Sequence, residues 1–170
     1  MRILGIDPGY GITGFGIIEG QRGQFRLLKC GAITTPPGAD FSARLEMIYE
    51  DMTQLLKIAD ADEVSIEELF FGQNVTTGID VAQARGVILL AIRQAGLPVY
   101  SYKPMQVKQA VVGYGKATKH QVQDMTKRLL HLDAVPKPDD AADAVAMALC
   151  HARSSTSMLA QFQKKQGGFP

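Results

Sequence analysis

The chain has 170 residues, of which 46% are apolar, a formal net charge of +1 and two cysteines. That length suits one domain with a single sizeable core, and the apolar share is that of an ordinary globular fold. With no run of eighteen apolar residues and no charged-then-apolar leader, neither a membrane span nor a signal peptide is expected. Cys30 and Cys150 lack metal-ligand spacing and read as small buried hydrophobes in a reducing cytosol.

Arg2 to Ile6, R-I-L-G-I, is a short apolar run that ends in Asp7 and is closed by Pro8 and Gly9. This is the pattern of a buried strand followed by a tight turn. The run F-G-I-I-E-G that starts at Phe15 reads as the antiparallel return strand of a hairpin. Asp7 then stands at the end of a central strand, where the sheet edge opens to solvent. Aspartate disfavours strands and is rarely buried unless paired, so Asp7 either caps the turn or serves a site. Gly9, Gly11, Gly14 and Gly16 predict open room above the strand end for something bulky, such as a phosphate or a metal ion.

Gly23 to Thr35 predicts a third strand that completes a meander and stops at Pro36, Pro37 and Gly38. Asp40 or Ser42 then caps a helix whose apolar residues Leu45, Ile48, Met52, Leu55 and Leu56 recur at helical spacing. That helix ends near Asp60. Val64 to Phe70 predicts a fourth strand. A helix between two such strands makes a right-handed crossover to a parallel neighbour, which lays the fourth strand beside the first and brings Asp7 and Glu67 to one sheet edge. The segment 72–78 reads as a polar loop, followed by a long helix from about Ile79 to Ala95. Val81, Ala84, Val87, Ile88, Ala91 and Ile92 are apolar there, interrupted by Arg85 and Arg93. So wide an apolar surface suits burial on two sides, as in a core helix that also forms a dimer interface.

Leu97 to Tyr102 is a fifth, short strand, and Lys103 to Val112 another helix. Thr118 caps a helix from Lys119 to Leu130 after the turn G-Y-G-K-A-T. Pro136 and Pro138 break the chain, and Asp139 or Asp140 opens a last helix to about Ser154. Residues 156–170 have little periodicity and are expected to be a flexible C-terminal tail, leaving 1–155 as one domain.

Charge is segregated along the chain. Between Asp40 and Asp80 there are ten acids against Arg44 and Lys57, whereas between Ser101 and His131 there are six lysines and arginines against Asp124 alone. A basic segment in a nearly neutral chain is either a solvated helix face or the footprint of an anionic partner. The acids form a second pattern. Asp7 and Glu67 close strands, and D-D-A-A-D, Asp139 to Asp143, opens the last helix. Asp140 and Asp143, three apart, share one helix face, as do Asp139 and Asp143, four apart. Acids in a first turn are ordinary dipole partners, but Asp143 sits among Ala142, Ala144, Val145 and Ala146, which look core-facing. Clustered carboxylates raise one another's pKa unless a cation holds them. An oxygen-only donor set points to Mg²⁺ or Mn²⁺, and two such ions are the usual apparatus of phosphodiester cleavage.

Five blocks then carry a resemblance: I-D-P-G-Y-G-I-T-G-F-G (Ile6 to Gly16), S-I-E-E-L-F-F (Ser65 to Phe71), Q-A-R-G-V (Gln83 to Val87), Q-V-K-Q-A-V-V-G-Y-G (Gln106 to Gly115) and D-A-A-D-A-V-A (Asp140 to Ala146). In this order and at these spacings the chain resembles the RuvC family of bacterial Holliday-junction resolvases, among the ribonuclease H-like nucleases. The resemblance implies an α/β fold with a five-stranded mixed sheet, strands 1–3 antiparallel and strands 1, 4 and 5 parallel, flanked by helices. It also implies a homodimer that nicks four-way DNA junctions symmetrically in recombination and repair, leaving 5′-phosphate and 3′-hydroxyl ends, in a cytoplasm shared with the branch-migration proteins RuvA and RuvB. Carried over residue by residue, it puts the catalytic and metal-holding carboxylates at Asp7, Glu67, Asp140 and Asp143, with two Mg²⁺ per site and Mn²⁺ as a substitute. DNA contacts fall on Phe70, Lys108 and Lys119, with Phe71 able to exchange roles with Phe70. The D-x-G-x-x-x-T-G hairpin also resembles the phosphate-binding hairpin of sugar kinases and actin-like ATPases, but that fold repeats its core, and no second such hairpin is present. A junction-binding module without catalysis is a third reading, and it leaves four acids to repel DNA for no gain.

Overall fold

In a computed structural model, which describes residues 1–69 and 75–155, the first strand lies in the middle of the sheet. The strands are β1 (Arg2–Asp7), β2 (Ile12–Gln21), β3 (Gln24–Thr34), β4 (Glu63–Glu67) and β5 (Val99–Tyr102), and the helices are α1 (Phe41–Ala59), α2 (Val75–Gln94), α3 (Pro104–Val112), α4 (Lys119–Leu129) and α5 (Asp139–Ser155). The strand order is β3-β2-β1-β4-β5. β1 and β3 each pair antiparallel with β2, while β4 runs parallel to both β1 and β5. This is the mixed sheet that the sequence implies.

Alternation along the strands divides the interior into two cores. Leu4, Ile6, Ile17, Val64 and Ile66 pack beneath α1 and α2 with Ile48, Met52, Ile88 and Ile92. Ile3 and Ile18 point the other way, toward Val107, Val111, Val122, Val145 and Leu149 of α3, α4 and α5. Period-two alternation in a central strand buried on both faces leaves almost no polar position, which is why R-I-L-G-I-D has one acid and places it last. The cut ends of the helices are satisfied locally. Asp40 caps α1 by accepting from the amides of Ser42 and Ala43 at 3.0 and 3.4 Å. Thr118 and Gln121 cap α4 reciprocally: Gln121 Oε1 accepts from the Thr118 amide at 2.8 Å and Thr118 Oγ1 from the Gln121 amide at 3.3 Å.

Two boundaries differ from the sequence expectation. β4 stops at Glu67, so the apolar residue Leu69 does not extend it. α2 begins at Val75, four residues before Ile79, because the polar segment before it enters the helix rather than forming a loop up to Gly78. Asp40, not Ser42, is the cap of α1, and Asp139 opens α5. The expected tail, 156–170, lies outside the described residues. Among the described residues no helix is long and apolar enough to cross a membrane.

Candidate active site

The direction of each acid follows from strand alternation. Asp7 shares a face of β1 with Ile3, the face covered by α5, and Glu67 alternates with Ile66, which packs on the opposite side. The pairing of Ile6 with Ile66 therefore sets Asp7 and Glu67 side by side, both turned toward α5.

Glycines let α5 approach close enough to deliver the other acids. Gly14 pairs with Asp7 across the hairpin, and a Cβ there would overlap the Asp140 carbonyl; one at Gly16 would overlap Val145, and one at Gly5 the Ala144 carbonyl. The expected open room for a ligand above these glycines is thus a correction: the backbone of α5 fills it. Gly9 closes on Ile12 of its own turn, and a Cβ at Gly11 would stand 3.2 Å from the Arg44 guanidinium. What the small residues provide is a helix seated against the sheet, with its N-terminal acids over the end of β1.

The electrostatics of the result are unusual for a folded interior. Burial, followed by the charges of Glu67, Asp143 and Asp140, pushes the Asp7 carboxyl up to about 8. Burial and then Asp143 raise Glu67. Asp139 behaves differently from its neighbour. Lys137 Nζ stands 3.1 Å from its carboxylate and Lys119 Nζ 3.8 Å, and these cations hold it below the ordinary aspartate value. The two adjacent aspartates are thereby separated, Asp140 acting on Asp7 and Asp139 facing the lysines.

A cleft of about 190 Å³ opens over the acids. Asp7, Glu67 and Asp143 line it together with Lys108 and Lys119, against a wall that includes Val107 and Met147. Of the sequence-predicted residues, the tertiary structure brings these five to one cleft and sets Asp140 within electrostatic reach. Phe70 and Phe71 lie outside the described residues. Lys119 is not a freely solvated cation, since its Nζ is 2.8 Å from Asp143 Oδ2, and that carboxylate holds its ammonium above the usual lysine value.

Among the described residues no three carboxylates, histidines or cysteines stand in a group tight enough to hold one ion, and Asp143 is engaged by Lys119. The fit to a metal rests instead on the chemistry of the donors. They are oxygen-only, suited to a hard divalent cation, and at their centre is the Asp7 carboxyl, which burial and the neighbouring acids push up to about 8.

Two arginines at the edges of this arrangement were not singled out as site residues. Arg44 is buried on α1, bonds Thr35 Oγ1 at 2.8 Å and the Tyr10 carbonyl at 3.2 Å, and so braces the turn that follows Asp7. Arg85 on α2 donates to the main-chain carbonyl of Glu67. The available signal for Arg85 was a basic residue inside an otherwise apolar helical stretch.

A five-stranded mixed sheet of this order, with one acid ending each of β1 and β4 and a second pair on the helix that crosses them, defines a ribonuclease H-like nuclease. The family profile described as crossover junction endodeoxyribonuclease RuvC matches residues 3–151. Proteins of that name from Clostridioides difficile and Brevibacillus brevis are 55% and 56% identical to this chain over 155 and 153 residues, or 91% and 90% of it and 92% of each relative. A solved structure titled T. thermophilus RuvC in complex with Holliday junction substrate superposes with a TM-score of 0.86 at 36% identity, covering 91% of this chain and 94% of that one. The chain belongs to the RuvC family of crossover junction endodeoxyribonucleases. The ATPase-like reading of the first hairpin falls with that membership.

Proposed function

We propose that this chain resolves four-way DNA junctions by paired, symmetric nicks, with Asp7, Glu67, Asp140 and Asp143 as its catalytic and metal-holding carboxylates. The observation that carries this reading is the convergence of Asp7, Glu67 and Asp143 on one cleft, with Asp140 close enough to act on the Asp7 carboxyl. Two Mg²⁺ ions, with Mn²⁺ able to substitute, would supply an activated water and stabilisation of the charge developing on phosphate. Asp7, on the central strand and flanked by the other acids, holds the middle of the donor set. Lys108 and Lys119, beside it in the cleft, hold the backbone phosphates of the DNA, which contributes affinity without sequence information. Lys119 exchanges Asp143 for a phosphate as the strand enters. The product ends are a 5′-phosphate and a 3′-hydroxyl. Phe70, or Phe71 in its place, is the ring for stacking on a base unpaired at the junction centre.

The paired nicks call for two copies of the domain 1–155, and α2 is the surface for their contact. Its exposed face carries Ile79 and Leu90, each about half accessible, on the side away from the buried Ala84, Ile88 and Ile92. The branch-migration proteins RuvA and RuvB are the partners this activity implies, in the cytoplasm. Purified protein with Mg²⁺ should nick a labelled four-way junction and leave linear duplex, RNA–DNA hybrid and ATP intact; equal cleavage of linear duplex would defeat the reading. Leu90→Glu should sediment as a folded monomer, and a monomeric wild type at micromolar concentration would rule out the α2 contact.

A further inference from the structure

We propose that Arg85 is a positioning residue for Glu67, acting through the backbone of β4 from the face of the sheet opposite the acids. The proposal rests on the reading of Glu67 as a metal-holding carboxylate. Arg85 Nε donates to the main-chain carbonyl of Glu67 at 2.9 Å, and its Nη2 donates to Ser101 Oγ at 2.9 Å. Ser101 pairs with Ile66, and Ile66 packs beneath α1 and α2. The guanidinium therefore ties β4 to β5 on the α2 side, while the Glu67 carboxylate projects to the α5 side.

The point of attachment matters because the chain leaves the sheet there. The amide of Glu68 bonds the Tyr102 carbonyl at 2.8 Å, and β4 ends one residue earlier. The Glu68 amide and the Glu67 carbonyl belong to one peptide plane, the last of the strand, so Tyr102 holds its N–H end and Arg85 its C=O end. The Glu67 carbonyl carbon is bonded to the same Cα that carries the side chain, so a fixed carbonyl sets the direction from which the carboxylate reaches the cleft. Arg85 is suited to that task. Its helix is anchored by the fully buried Ala84 and Ile88 on either side, and a charge-assisted bond is about twice as strong as a neutral one. The planar fork aims two donors fixed in direction at two strands, where a lysine offers a point charge on a flexible stem. Arg85 meets Glu67 only at its main chain and lines no part of the cleft, so it positions and does not react.

Metal-supporting groups one step removed from the ligands typically change metal affinity or activity by about 10–100-fold when lost. The test is calorimetric titration of the DNA-free protein with Mn²⁺, alongside single-turnover nicking and junction affinity in EDTA, for wild type, Arg85→Ala, Arg85→Lys and Glu67→Gln. Arg85→Ala should bind Mn²⁺ about 10-fold or more weakly and nick more slowly by a similar factor, with unchanged junction affinity. Arg85→Lys, which keeps the charge and loses the rigid fork, should recover part of both, and it carries the comparison if the alanine variant does not fold. Wild-type Mn²⁺ affinity in folded Arg85→Ala, with Glu67→Gln impaired, overturns the positioning role alone. Loss of junction affinity with Mn²⁺ binding intact overturns it by making Arg85 a DNA contact. Mn²⁺ binding indifferent to Glu67→Gln as well would fail the reading of the site and this proposal with it.

Discussion

β4 carries two glutamates on the same face, four residues apart, and the protein treats them in opposite ways. Glu63 is paired: its Oε2 lies 2.6 Å from His151 Nε2. His151 is buried on α5, with Nδ1 2.7 Å from the Tyr102 hydroxyl and Tyr100 stacked on its ring at 4.4 Å. At the other end of the strand Glu67 stands beside Asp7 and Asp143, and Asp7 is driven up to about 8. The same strand and the same covering helix thus hold one carboxylate matched by a local partner and one crowded by its own kind. Where a buried charge has only a structural role, partners satisfy it, because an unpaired one costs several kcal/mol. At the Glu67 end, which we propose to hold a cation, the crowding of acids remains in the fold.

The largest expected effect breaks the charged end. Asp7→Asn should lower junction nicking by at least about 100-fold, the scale of losing one preorganised electrostatic group, measured under single-turnover conditions with saturating Mg²⁺. The same variant sharpens the comparison through stability. A carboxyl whose folded pKa is raised to about 8 favours the fold most below its unfolded value near 4 and withdraws that support as pH rises toward 8. Metal-free wild type should therefore melt progressively lower across that window, and Asp7→Asn should melt higher than wild type at its alkaline end. A lower melting temperature for the variant at pH 8 would show that the carboxylate is not under strain.

The paired end should respond in the reverse sense. His151→Ala removes a buried ring together with its contacts to Glu63 and Tyr102 and should cost about 3–5 kcal/mol in denaturant unfolding, while the folded fraction keeps its nicking rate. A smaller effect is expected at the contact that seats α5 over both ends. Gly14→Ala forces a Cβ into the Asp140 carbonyl and should cost about 1–3 kcal/mol as overpacking, with reduced nicking because Asp140 is displaced. Gly38→Ala, where a Cβ meets nothing within 4 Å, should leave both measurements unchanged. The smallest effect belongs to the rim of the cleft. Lys108→Ala should weaken junction binding and reduce its log–log salt slope by about one unit, without altering the melting temperature; an unchanged slope would place Lys108 on a free surface.

The amino-acid sequence alone determined the strand that ends in Asp7, the strand that carries Glu67, the helix that opens with Asp139 to Asp143, and, by its five blocks, the family. These features are local: alternation, capping residues and turn chemistry act over a few residues, and Asp7 and Glu67 converge because a parallel crossover has one favoured hand. What only the tertiary structure decided is which neighbour of each pair faces the site and what holds it there. Asp139 and Asp140 are adjacent in the chain, yet one meets Lys137 and the other acts on Asp7, a difference set by how far α5 descends onto the sheet. Gly14 and Gly16 looked like open space and proved to be the contact for that helix. His151 finds Glu63 across 88 residues, and Arg85 finds Glu67 across 18. Such pairings carry no periodic signal, because they depend on where two separately formed elements come to rest against each other.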